Sequence, residues 1–296
     1  MKSTHDRGRA ILLAFSAAAF YAVNFPFSKL LLKDIAPTML AALLYLGAGI
    51  GVGILSLFVR KDRRNYERLG KSDLPYVIGM IVLDIAAPIF LMIGVRRGTS
   101  ASASLLGNFE IVATTIIALA VFKEAVSKRL WLAIVLITLA SAILSFEGAE
   151  SFRLSSGSLF VLLAASCWGF ENNCTRKLSA KNTYQIVILK GLGSGLGALL
   201  IALLLREPFP DIWQIAASLM LGFVAYGLSI FLYIRAQNTL GAAKTSAYYA
   251  AAPFIGAILS FLILKESLTW LYLLALAVMI AGTLLVVSDT VRRQPS

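Results

Sequence analysis

The sequence predicts an all-α integral membrane protein of ten transmembrane helices, arranged as two inverted five-helix repeats. Three observations carry that prediction. Of 296 residues, 59% are hydrophobic and only 14% charged, with a mean hydropathy of +0.82, whereas soluble domains carry about 25% charged residues. Apolar runs of about 20 residues, the length that crosses a bilayer, recur along the chain. The second half of the chain also echoes the first at offsets of 141 to 147 residues.

The net charge of +12 raises the question of nucleic acid. The basic residues instead flank apolar runs and form no patch interleaved with aromatic residues, so no nucleic-acid partner is expected. Cys167 and Cys174 are seven residues apart on one expected helix, about 10 Å along its axis, too far for a disulfide. The single histidine, His5, lies in the N-terminal tail. No HExxH or GxSxG stretch and no metal-type spacing is present. Neither an enzyme nor a metal or other cofactor is therefore expected.

Taken in order, the spans are expected at 10–32, 37–59, 74–95, 101–122, 130–146, 157–175, 183–205, 212–234, 242–264 and 269–287. Lys2, Arg7 and Arg9 before the first run imitate a signal peptide. That run is too long for one and has a counterpart at mid-chain. With the N-terminus inside, 18 lysines and arginines fall in inner segments, including six in the loop 60–73. Six fall outside: Lys33, Arg96, Arg97, Arg153, Arg206 and Lys265. This asymmetry places both termini in the cytoplasm, in the inner or plasma membrane.

The repeat divides the chain into 1–148 and 156–291. Gly47, Gly49, Gly51 and Gly53 in span 2 recur as Gly191, Gly193, Gly195 and Gly197 in span 7. Tyr21-Ala22-Val23-Asn24 falls on Trp168-Gly169-Phe170-Glu171, and Ile89-Phe90-Leu91 on Ile230-Phe231-Leu232. Ala101 and Ser104 match Ala243 and Ser246, and Lys123-Glu124 after span 4 matches Lys265-Glu266 after span 9. Five spans per half is an odd number, so the second half must enter the membrane upside down. Inverted repeats are a transporter architecture with the substrate site near the midplane. The glycine runs have no preceding strand and no lysine-serine ending, so they read as close helix packing rather than phosphate binding.

Two five-helix halves, the aromatic-small-x-polar pattern at 21–24 and 168–171, and Lys-Glu after spans 4 and 9 resemble the drug/metabolite transporter superfamily. Within it the chain resembles the EamA-type ten-helix transporters. The resemblance implies a cavity lined by spans 1, 3, 4, 6, 8 and 9, alternating access, and often efflux of amino acids or other small metabolites. Tyr21-Ala22 departs from the Trp-Gly more usual in the first half, which Trp168-Gly169 keeps.

Candidate site residues follow from polarity at depth. A carboxylate at the bilayer centre costs at least about 2.5–3.5 kcal/mol, so it normally faces a cavity or a partner. Asp84 sits at the middle of span 3 and Glu110 near the middle of span 4, with Asn108 beside it. Neither acid shows a basic partner of matching depth. Two such carboxyls repel if both ionise, so at least one carries a proton, as a permanently neutral group or as a proton carrier. Glu171 and Lys190 lie at similar depth, so Glu171 either pairs with Lys190 or meets substrate. Tyr21, Asn24, Trp168 and Glu171 are expected to meet across the pseudo-twofold axis. Tyr226, Tyr233, Tyr248 and Tyr249 add rings on spans 8 and 9, where facing rings hold apolar or cationic groups. Pro26 and Pro253 lie inside spans 1 and 9 and free carbonyls one turn back.

The expected function is secondary transport of a small molecule with protons as the expected coupling ion, by a monomer or weak dimer. A flippase for a lipid or lipid-linked compound is the alternative on the same architecture.

Overall fold

A computed structural model describes residues 4–58, 69–123, 127–146, 155–178, 181–240, 245 and 248–292. Its regular elements are helices: α1 (Thr4–Ala22), α2 (Asn24–Leu31), α3 (Pro37–Phe58), α4 (Leu74–Arg97), α5 (Ser100–Leu106) and α6 (Phe109–Phe122). There follow α7 (Lys128–Leu144), α8 (Ser156–Lys177), α9 (Thr183–Leu204), α10 (Ile212–Gly222), α11 (Ser229–Leu240), α12 (Ala252–Leu264) and α13 (Trp270–Arg292). Most of the expected inner loop 60–73 falls outside the described residues, as do Glu124, Ala243 and Ser246.

Among the described residues, seven segments are long and apolar enough to cross a membrane, including Gly8–Leu31, Pro37–Phe58, Lys71–Arg97, Tyr184–Leu204 and Trp270–Asp289. Of the remaining expected spans, α7 has 17 residues and α12 has 13. The 22-residue α8 ends in the polar stretch Glu171-Asn172-Asn173-Cys174-Thr175-Arg176-Lys177.

Four of the expected continuous spans are interrupted, each for a local reason. Pro26 has no N–H to give the Ala22 carbonyl, and the first span divides into α1 and α2 at Val23. At Gly107–Asn108 the fourth span tightens: the Asn108, Glu110 and Ile111 amides bond carbonyls three residues back, at 3.0, 3.1 and 3.0 Å. A π-helical turn, Phe223–Leu228, joins α10 to α11. Pro253 stands in the first turn of α12, just after the turn Ala250–Ala251 that follows Tyr249.

Glycines decide which helices meet. A Cβ placed on Gly191 of α9 would lie 2.6 Å from the Cα of Gly49 of α3, so α3 and α9 cross backbone to backbone. A Cβ on Gly222 would meet the Leu44 carbonyl oxygen at 2.0 Å, which holds α10 equally close to α3. With little hydrophobic drive between helices in lipid, such close packing is what holds them together. The most extensive pairings, α3 with α9, α4 with α8, α7 with α13 and α1 with α11, all join a helix before residue 146 to one after residue 155. The core therefore runs between the two halves of the chain, through Met39, Leu44, Leu91, Met92, Leu105, Ile137 and Trp168. Leu57, Leu200, Leu204, Leu262 and Leu284 point outward and are exposed, a surface suited to hydrocarbon.

Candidate substrate site

The helix interruptions coincide with the polar candidates. Asn24 opens α2, Asn108 sits in the tightened turn, and Glu110 lies in the first turn of α6. Tyr226 is inside the π turn, and Tyr249 is the last helical residue before the turn Ala250–Ala251 that precedes α12. Irregular backbone at membrane depth is tolerated where protein or a lined cavity satisfies it, and π turns are frequent at functional sites.

At the centre stands Lys190 of α9. Its Nζ is 3.0 Å from Oδ2 of Asp84 on α4 and 3.0 Å from Oε2 of Glu171 on α8. Both carboxylates are buried, and Lys190 is mostly so. The Tyr45 hydroxyl donates to Asp84 Oδ1 at 3.2 Å, and Trp168 Nε1 donates to the Tyr45 hydroxyl at 3.3 Å. Thr175 donates to Glu171 one turn away on α8. The cluster thus ties α3 and α4 to α8 and α9 through hydrogen-bonded charge, the arrangement that makes buried ions tolerable. Of the two alternatives for Glu171, the pair with Lys190 is present. Asp84 differs from expectation, because Lys190 serves it too. Depth along two separate spans could not reveal that one flexible ammonium reaches both acids, since the reach depends on how α9 packs against α4 beside the paired helices α4 and α8.

The rings form a chain rather than a direct meeting of Tyr21 with Trp168. Tyr21 contacts Tyr226 edge-on at 5.8 Å between centroids, and Tyr249 at 6.0 Å. Tyr226 contacts Tyr45 at 5.3 Å, and Tyr45 carries the bond from Trp168. Tyr249 also packs on Tyr233 at 5.2 Å and approaches the Ser229 hydroxyl at 3.2 Å. Asn24 accepts from Ser28 at 2.9 Å and lies next to the Tyr226 hydroxyl. Among the described residues, the Asn24 amide nitrogen and the Tyr226 hydroxyl have no hydrogen-bond partner of good geometry. Tyr248 lies apart from this chain, against Phe15.

Glu110 takes a hydrogen bond from Asn172, whose amide also reaches Thr114 Oγ1 at 3.4 Å. Asn173 bonds the Thr114 and Gly169 carbonyls at 3.2 and 2.8 Å. Gly169 permits this closeness, because a Cβ there would lie 2.5 Å from that of Ala113. Asn108 is buried, and its amide nitrogen has no partner among the described residues.

Sequence reasoning missed Tyr45 and Asn172 and gave Lys190 only one partner. A signal for Tyr45 existed in the glycines. Gly191 packs against the Tyr45 carbonyl, where a Cβ would lie 3.0 Å away, so Lys190 and Tyr45 follow the same helix crossing. Asn172 carried no comparable signal, since Phe25 occupies its repeat position.

Comparison with known proteins follows the same lines. The EamA-like transporter family matches residues 8–146 and again 155–288. A protein of Methanothermobacter thermautotrophicus described as an uncharacterized transporter is 25% identical over 286 residues, covering 90% of this chain and 82% of its own. A solved structure, described as a crystal structure of protein, superposes with a TM-score of 0.69 at 16% identity, covering 97% of this chain and 99% of that one. With the family matched along both halves of an all-helical chain of apolar helices, the protein belongs to the EamA-like transporter family and is membrane-integral.

Proposed function

We propose that the protein is a ten-span secondary transporter of amine-bearing small metabolites, amino acids included. It works by alternating access of two inverted halves, in the efflux direction and coupled to protons. Both termini face the cytoplasm across the inner or plasma membrane. The single observation that carries the reading is the convergence on Lys190. Carboxylates from the continuous helices α4 and α8 meet there, and a chain of rings from α3, the π turn between α10 and α11, and α1 leads from them to the interrupted first and eighth spans. Broken helices at a contact between halves are where transporters hold substrate, and buried ionisable groups in membrane helices mark pathways. Tyr21, Asn24, Asp84, Asn108, Glu110, Trp168, Glu171, Tyr226 and Tyr249 form the binding surface in this reading.

Flux of amino acids and amines into proteoliposomes, with and without an imposed pH gradient, tests it. Glu110→Gln is expected to abolish gradient-driven flux while the protein still folds, and Asp84→Asn to give a weaker version. Unchanged, gradient-independent flux in both variants would mean that the acids are structural.

A further inference from the structure

We propose that Lys190 is a tethered stand-in for the substrate's cation: its ammonium occupies the subsite, between Asp84 and Glu171, that the ammonium of a transported amine takes. This rests on the transporter reading above and narrows it to amines that lack a carboxylate. The geometry is that of a bound alkylammonium, with one Nζ 3.0 Å from each of two carboxylates that belong to different halves of the chain. Both acids are held in place independently of Lys190, Asp84 by Tyr45 and Glu171 by Thr175. The subsite therefore keeps its shape when the lysine leaves. Lysine suits the task, because it is a compact point charge on a flexible four-carbon stem, and its side chain here retains some exposure, 20%, where those of Asp84 and Glu171 have 0% and 1%.

The charges narrow the class further. Two carboxylates against one ammonium leave the cluster one charge negative, and Glu110 lies within electrostatic reach of Glu171 and Lys190. An anionic substrate would find its one cation already held by two acids. A zwitterion would bring a carboxylate toward a cluster of carboxylates, whereas an amine brings what the cluster lacks. The ring chain Tyr45–Tyr226–Tyr21 begins at the hydroxyl that holds Asp84 and supplies aromatic surface for an apolar or cationic body. Exchange of ammonium groups also replaces the ion pair between α4 and α9 with one that the substrate makes between α4 and α8.

A tethered competitor acts as a ligand at high local concentration, about millimolar for a short flexible link. Removing it should therefore tighten amine binding. The test is calorimetric and thermal-shift titration of purified protein with phenethylamine, phenylalanine and 3-phenylpropionate. Phenethylamine should bind the wild-type protein more tightly than phenylalanine, and 3-phenylpropionate should not bind. Lys190→Met should bind phenethylamine about tenfold more tightly than wild type. The double variant Asp84→Asn/Lys190→Met, which removes one charge of each sign and so keeps the net buried charge, should shift in the same direction through Glu171. Lys190→Arg, whose fork grips both carboxylates, should bind more weakly than wild type. Phenethylamine affinity unchanged or reduced in Lys190→Met overturns the proposal. If that variant does not fold, an unchanged or reduced phenethylamine affinity in the double variant, or an affinity in Lys190→Arg at or above wild type, overturns it equally. Binding of 3-phenylpropionate that is lost in Lys190→Met overturns it too, and makes Lys190 an anion receptor. Wild-type flux of phenethylamine in proteoliposomes, measured alongside, reports on transport itself. Its absence would count against the transporter reading while the binding series still decides the role of Lys190.

Discussion

Lys123 and Lys265, 142 positions apart, close apolar helices with the same left-handed backbone, φ 52° and 54°. The glutamate after Lys265 reaches across the protein. Glu266 accepts the Ser100 and Ala101 amides at 2.7 and 2.9 Å, while Thr99 accepts the Ser102 amide of the same helix start. Ser100 and Ser260 hydroxyls meet at 2.9 Å beside it. Glu207, after another left-handed residue, Arg206, does the same for the Met39 amide at 2.7 Å. Paired carboxylates that cap the starts of helices from the first half explain why a charged turn follows these apolar runs.

Glu266→Ala should lower stability by about 1–2 kcal/mol, the scale of a lost cap, and Glu266→Gln by less. Lys265→Gly should be neutral or slightly stabilising, since glycine adopts the left-handed region without strain. Lys265→Val should lower the melting temperature in detergent. Equal melting temperatures for Lys265→Gly and Lys265→Val would show that the left-handed turn carries no strain.

Gly191→Ala is expected to destabilise by about 1–3 kcal/mol, the cost of overpacking, because the new Cβ meets the backbone of Gly49 at 2.6 Å. Gly53→Ala is the control, since nothing lies within 4 Å of a Cβ there. Both belong to the alternating glycines of α3 and α9, so a melting curve for each variant separates close approach from mere glycine content. Equal curves would sink the packing account.

Lys29 donates to the carbonyls of Val95, Arg96 and Gly98 at 2.6, 3.1 and 2.6 Å, and so closes the C-terminal end of α4. Lys29→Met should cost about 1.5–3 kcal/mol, the range for a hydrogen bond to a charged group. Lys29→Arg should recover part of it. Hydrogen exchange at the end of α4 should rise in the methionine variant, and no change there would place the lysine's role elsewhere.

Trp168→Ala and Asn24→Ala should weaken substrate binding, and Trp168→Ala, which empties a core position, should also lower the melting temperature. Trp168→Ala additionally leaves the Tyr45 hydroxyl without its donor. If neither variant folds, these side chains serve packing rather than recognition.

Reporter fusions after residues 65 and 292 should both report cytoplasm, as the excess of basic residues in inner segments requires. A periplasmic signal from either one contradicts the inverted arrangement of the halves.

Much of this protein was legible in its sequence alone. The class followed from apolar length, because a bilayer admits only segments whose backbone bonds close on themselves. The approach of α3 to α9 was written in alternating glycines, because only residues without a Cβ allow backbones so near. Matching depth on two helices offered the pair Glu171–Lys190 as one of two alternatives. The tertiary structure alone decided the rest. Asp84 acquired Lys190 as a partner because α9 lies where a single ammonium reaches α4 and α8 together. Tyr45 entered the site through a hydrogen bond across helices that are distant in sequence. The breaks near Asn24 and Tyr249 lie at Pro26 and Pro253, which the sequence displays, whereas the tightened turn at Asn108 and the π turn around Tyr226 contain no proline and belong to the folded protein. Depth along a span is a one-dimensional property that sequence carries, whereas azimuth and reach between spans belong to packing.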